Sequence, residues 1–158
     1  MPLRPDEILT TLETHLRAYV EAKKGALSIA EDPFHVYEIL ADGPGGFHVI
    51  IAWGGDKEVS GHATVGIVEN RIKVIISYNR GLAIKQGAHL TIARGTQGPL
   101  YKLLSEVRAK CRELTYAADD TDVNLEYQGA DEFAVPGDLP LDAYEMNFTL
   151  HSNLPQTT

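Results

Sequence analysis

The chain has 158 residues, 44% of them apolar and 23% charged, which is enough for one domain with a proper hydrophobic core. Fourteen Lys and Arg against 22 Asp and Glu give a net charge of −8, a balance that argues against a mainly electrostatic grip on nucleic acid or an anionic membrane. A single cysteine, Cys111, excludes a disulfide framework, and no membrane-length apolar run or secretory leader is read, so a soluble intracellular domain is expected.

Ile8, Leu9, Leu12, Leu16, Tyr19 and Val20 recur at helical spacing and predict a helix over about 6–24, with Asp6 as N-cap, Lys23–Lys24 in the last turn and Gly25 as the stop. From Phe34 the period becomes two. Phe34–Leu40 reads as a strand and Asp42–Gly46 as a turn. Phe47–Trp53 reads as a central strand, because Val49, Ile50 and Ile51 leave no side free for water. His62–Val68 and Arg71–Tyr78 flank the turn residues Glu69–Asn70 and predict a tight hairpin. Its second arm sets Ile72, Val74, Ile76 and Tyr78 on one face and Arg71, Lys73, Ile75 and Ser77 on the other.

Residues 79–98, broken by Gly81, Gly87, Gly95 and Gly98, read as a long flexible loop. Pro99 then opens a second helix, with Leu100, Leu103, Leu104, Val107, Cys111 and Leu114 on one stripe and Lys102, Arg108, Lys110 and Arg112 opposite. Val123–Tyr127 and Tyr144–Leu150 read as strands separated by a loop at Pro136, Gly137 and Pro140, and residues 152–158 as a frayed tail. This order predicts one α+β domain: a mainly antiparallel sheet of about five to six strands with two helices packed on one face.

A search for chemistry finds little. The glycine clusters at Gly43–Gly46 and Gly54–Gly55 lack phosphate-loop spacing and read as turns. Cys111, on an apolar helical stripe, reads as a small core residue rather than a nucleophile. His15 and His151 read as solvated. His35, His48 and His62 fall in three successive predicted strands, where a metal site would need them to share one face, with Glu38 nearby. Asp119–Asp120 and Asp131–Glu132 read as solvent-facing acidic pairs in loops.

Charge, however, is sorted along the chain. Residues 71–112 hold nine basic residues and the single acid Glu106, whereas residues 113–158 hold ten acids and no Lys or Arg. Two readings account for this. Either basic and acidic strands neutralise each other within the subunit, or the two surfaces point apart and copies meet head to tail, closing into a ring or running on as a filament. On the second reading Arg71, Lys73, Arg80, Lys85 and Arg94 form one half of a subunit or partner contact, and Asp119, Asp120, Asp122, Asp131 and Glu132 the other.

Three segments carry a family resemblance: Pro99-Leu-Tyr-Lys-Leu-Leu-Ser-Glu-Val-Arg108, Asn124-Leu-Glu-Tyr-Gln-Gly129 and Leu141-Asp-Ala-Tyr-Glu-Met-Asn-Phe-Thr-Leu150. Together they resemble tail proteins of tailed bacteriophages, in particular the tail terminator or tail-completion (head–tail joining) group. The likeness runs over residues 96–154, and the preceding part agrees in element order and in the basic arm near Asn79-Arg80-Gly81-Leu82. The resemblance implies a non-enzymatic virion subunit with no catalytic residues, metal or cofactor. It would form a hexameric ring at the head-proximal end of the tail, assembling in the host cytoplasm. Its implied partners are further copies of itself, the tail tube protein and a head connector or neck protein, with no membrane. DNA would pass through the lumen without specific binding, in keeping with an acidic chain. Alternatives are another neck or minor tail subunit, a component of a phage-tail-like secretion or stress system, and a small metal- or ligand-binding domain using His35, His48 and His62.

Overall fold

The structure, a computed structural model, describes residues 3–41, 46–59, 67–79, 99–118, 121–135 and 141–153. Helix α1 (Pro5–Ala22) begins one residue before Asp6: Arg4 is its cap, and the Arg4 N–H donates to the Glu7 carboxylate at 3.2 Å. Ile8, Leu9, Leu12, Leu16 and Val20 form its buried stripe. The stop also differs from expectation. Lys24, not Gly25, takes the left-handed conformation at φ 58°. Gly25 is needed for space, since a Cβ there would stand 2.4 Å from the Phe47 ring.

A short strand that the sequence reading missed follows, β1 (Ala26–Ala30), and then helix α2 (Pro33–Ala41) where a strand was expected over 34–40. Local chemistry explains α2. The Asp32 carboxylate accepts the His35 N–H at 2.8 Å, Pro33 occupies the first helical position, and Val36 and Leu40 bury one face at i, i+4 spacing.

Strand β2 (Phe47–Glu58) is central and buried on both sides over Phe47–Ala52, as the apolar run predicts, but it continues through Gly54–Gly55, which were expected to form a turn. Its register against β3 slips between Trp53 and Asp56, where Gly55 adopts φ 86°. Strand β3 (Ile67–Asn79) overturns the predicted hairpin: it runs straight through Glu69–Asn70. Asn70 is buried there, and its amide donates to the Leu150 carbonyl at 2.9 Å and to Ser152 Oγ at 2.8 Å, so a turn-forming residue is satisfied inside a strand. The hairpin is instead β2 with β3. His62 and residues 80–98 of the predicted loop lie outside the described residues, while Asn79 belongs to β3.

Helix α3 (Pro99–Glu113) agrees with the expected stripe, burying Leu100, Leu103, Leu104, Val107 and Cys111. The strand expected over 123–127 is divided. β4 (Thr115–Ala118) and β5 (Thr121–Asn124) form a separate two-stranded sheet, and β6 (Glu126–Glu132) joins the main one. Tyr116 of β4 ties this small sheet to α1, donating its hydroxyl to the Ile8 carbonyl at 2.8 Å. β7 (Leu141–Asn153) contains the predicted Tyr144–Leu150 and extends through Ser152 and Asn153, which pair with Val68 and Ile67 rather than fraying.

The fold is α+β, with a five-stranded sheet in the order β1-β2-β3-β7-β6, antiparallel except for the parallel β1–β2 pair. Helices α1 and α3 pack on one face against Val49, Ile51, Ile72, Val74, Ile76, Met146, Phe148 and Leu150. The expectation of two helices on one face therefore holds for α1 and α3, but among the described residues a further helix, α2, lies on the opposite face over Ile50, Ala52, Ile75 and Ala143.

Candidate functional site

Because α2 is short and lies over β1 and β2, much of its side of the sheet is left uncovered among the described residues. Strand alternation sends Glu69, Arg71 and Lys73 of β3, and Glu145, Asn147, Thr149 and His151 of β7, to that open face. Gln128 of β6 joins them, its amide donating to Thr149 Oγ1 at 2.9 Å. Asp131, directly opposite Glu145, is on the same face.

The charges on this face are largely matched. Lys73 Nζ lies 2.7 Å from Glu145 Oε1. Glu69 collects Lys57 at 3.7 Å, Arg71 at 3.9 Å and, when protonated, His151 at 3.8 Å. Arg71 and Lys73 are still half-exposed, whereas Glu69 and Glu145 sit deeper. Water screens such pairs, so each contributes about 1 kcal/mol or less.

A groove of about 420 Å³ runs between α2 and the sheet, lined by Tyr37, Trp53, Phe133, Lys73 and Glu145 among others. A second depression of about 380 Å³, lined by Glu69, Arg71, Gln128, Asn147 and Thr149, continues it and shares Gly54 and Lys73. Gly54 is confined by the crossing, since a Cβ would stand 3.1 Å from Arg71 Cβ and from its carbonyl oxygen. Tyr37 and Phe133 close one wall with ring centroids 5.7 Å apart. Phe34, on the next flank of α2, is 79% exposed.

The candidate site residues are thus placed unequally. Arg71, Lys73 and Asp131 share one face of the sheet, so the expectation that basic and acidic surfaces point apart fails for these three. The reason is topological: β7 inserts between β3 and β6 and carries acid to the side of base. Asp131 and Glu132 lie in β6 rather than in a loop, and both are exposed. Asp122 lies in β5, paired with Ala117. Arg80, Lys85, Arg94, Asp119 and Asp120 lie outside the described residues. Sequence reasoning missed Glu69 and Glu145, although the alternation that selected Arg71 and Lys73 selects Glu69 as well.

The histidine constellation loses its premise. His35 is on α2, where its Nδ1 accepts the Glu31 N–H at 3.0 Å. His48 is buried in β2, with Nε2 2.9 Å from Ser28 Oγ and Nδ1 without a partner among the described residues. Burial lowers the His48 pKa below its ordinary value. Among the described residues no three His, Cys, Asp or Glu side chains converge on a metal-sized site. His15 is not solvated as expected: its Nε2 lies 2.8 Å from the Lys110 carbonyl and links α1 to α3. Arg108, expected on the polar side of α3, lies 5.1 Å above the Tyr127 ring. Cys111 is fully buried, and desolvation pushes its thiol up to about 12, so the only cysteine is a core side chain.

No protein-family model matches the chain, and a search of curated proteins finds no match either.

Proposed function

We propose that this protein is a structural subunit of a phage or prophage tail. It assembles as a ring, in the manner of the tail terminator group, at the head-proximal end of the tail tube, ending tube growth and joining tail to head. The observation that carries the reading is the packing of the three segments of resemblance. Residues 99–108 lie in α3, 124–129 in β5 and β6, and 141–150 in β7, and α3 packs on β6 and β7. They belong to one layered unit rather than to scattered surface loops.

The exposed chemistry supports a docking role. The open sheet face offers charged and hydrogen-bonding side chains and an adjoining apolar groove, while the one thiol is sealed in the core. The other members of the proposed contact are Arg80, Lys85, Arg94, Asp119, Asp120, Asp122 and Glu132, and its partners are the tail tube and head connector proteins. Negative-stain electron microscopy of the purified protein tests the reading: it predicts annular particles of one diameter with a central hole. Featureless monomer-sized particles at all concentrations would contradict self-assembly.

A further inference from the structure

The main sheet ends in two strands of different character. β1 carries no charged residue within Ala26–Ala30, whereas β6 carries Glu126, Asp131 and Glu132. Each is an outer strand of the sheet, and the outward backbone groups of Ala26–Ala30 and of Glu126–Asp131 have no hydrogen-bond partner among the described residues. Such rows of N–H and C=O groups are templates for another strand.

Strand direction fixes how two copies would join. β1 is parallel to β2, β3 reverses, β7 reverses again and β6 reverses once more, so β6 runs antiparallel to β1. A neighbour related by rotation about an axis along the strands therefore brings β6 antiparallel to β1, with the end of β6 beside the start of β1. At that corner Lys24 is exposed and Asp131 is exposed, and neither has an ion-pair partner among the described residues. Asp131 also stands directly opposite Glu145, a like-charge pairing that an incoming cation relieves.

We infer that a second copy of this chain occupies the β1 edge through its own β6, so that one sheet continues from subunit to subunit with Lys24 against Asp131 of the neighbour. This rests on the ring reading above and names the contact that closes the ring. The contact is heterologous, as a ring requires, and it uses the strand-addition mode of recognition. Matching the α1-side residues of the two edges, Leu27 with Ala130, sets Ala26 opposite Asp131 and leaves Lys24 two residues before it. Beyond the bulge between Tyr127 and Gly129 the same register sets Glu126 opposite Ala30 and diagonal to Glu31, a repulsion at the far end.

Sedimentation velocity on the full chain tests this with Lys24→Glu, Asp131→Lys, the double variant and Glu126→Lys, each first checked for native circular dichroism. Each of the first two single variants should raise the protein concentration at half-assembly about fivefold. The double variant should restore it, and Glu126→Lys should lower it. Wild-type assembly that ignores Lys24→Glu and Asp131→Lys, or single losses that the double does not repair, overturns edge pairing and leaves the ring reading standing. A wild type that stays monomeric throughout overturns both.

Discussion

Lys73 on β3 and Glu145 on β7 meet at 2.7 Å across the open sheet face, joining the basic and acidic parts of the sequence within one subunit. Charge sorted along a chain therefore need not be sorted in space. Here β7 returns between β3 and β6, and this topology turns a linear separation into neighbouring strands. The pair is only partly shielded from water, so its removal should be mild. Glu145→Gln should change unfolding free energy by about 1 kcal/mol or less, measured by urea denaturation. Lys73→Glu sets a third acid beside Glu145 and Asp131 and should cost more, and the swap Lys73→Glu/Glu145→Lys should recover most of that loss.

Gly25 is fixed by contact with Phe47 rather than by helix termination. Gly25→Ala places a methyl group 2.4 Å from that ring and should destabilise the protein by about 1–3 kcal/mol. Shortening the ring in the double variant Gly25→Ala/Phe47→Leu makes room, so the alanine should then cost less than in the wild-type background. An equal cost in both backgrounds would show that the ring is not the obstacle.

Burial of His48 makes stability depend on pH in a defined direction. The folded state holds the imidazole neutral below the ordinary pKa of 6.5, while the unfolded chain takes up a proton there. The His48 contribution is therefore fully present above 6.5 and declines as pH falls from 6.5 towards the lowered folded value. Comparing urea midpoints at mildly acid and mildly alkaline pH should show a larger acid loss for wild type than for His48→Gln.

Cys111 should behave as a core side chain. With its thiol pushed up to about 12 and no exposed surface, native protein should react with a disulfide reagent only as fast as it opens. Urea at the unfolding midpoint should bring full labelling. Rapid native labelling at neutral pH would contradict the burial.

How much of this was legible beforehand follows from which signal each element depends on. α1, α3 and the first half of β2 depend on apolar periodicity, and these were read correctly apart from the ends of α1; the second half of β2, Gly54–Glu58, was missed because Gly54–Gly55 were taken for a turn. α2 was misread because Phe34, Val36 and Leu40 fit a period of two over a short run. The Asp32–Pro33 pair was the signal that distinguished it, a capping carboxylate before a proline at the first helical position. Asn70 misled in the opposite way: its turn preference is local, and the bonds from its amide to Leu150 and Ser152 come from residues some eighty positions away. β1 is five residues long and takes its identity from a parallel partner, so nothing within it announces a strand.

The site was legible only in part. Alternation along 71–78 placed Arg71 and Lys73 on one face, and the structure agrees. What faces them across the sheet depends on strand order, which charge counting does not contain. The edges of β1 and β6 likewise became visible only with the topology.

The central claim is that this chain closes into a ring, and its solution mass measured by light scattering across protein and salt concentration tests that most directly. The account predicts a closed oligomer near six subunits that loses mass as salt screens the contacts between charged residues. A monomer at every concentration and ionic strength would contradict it.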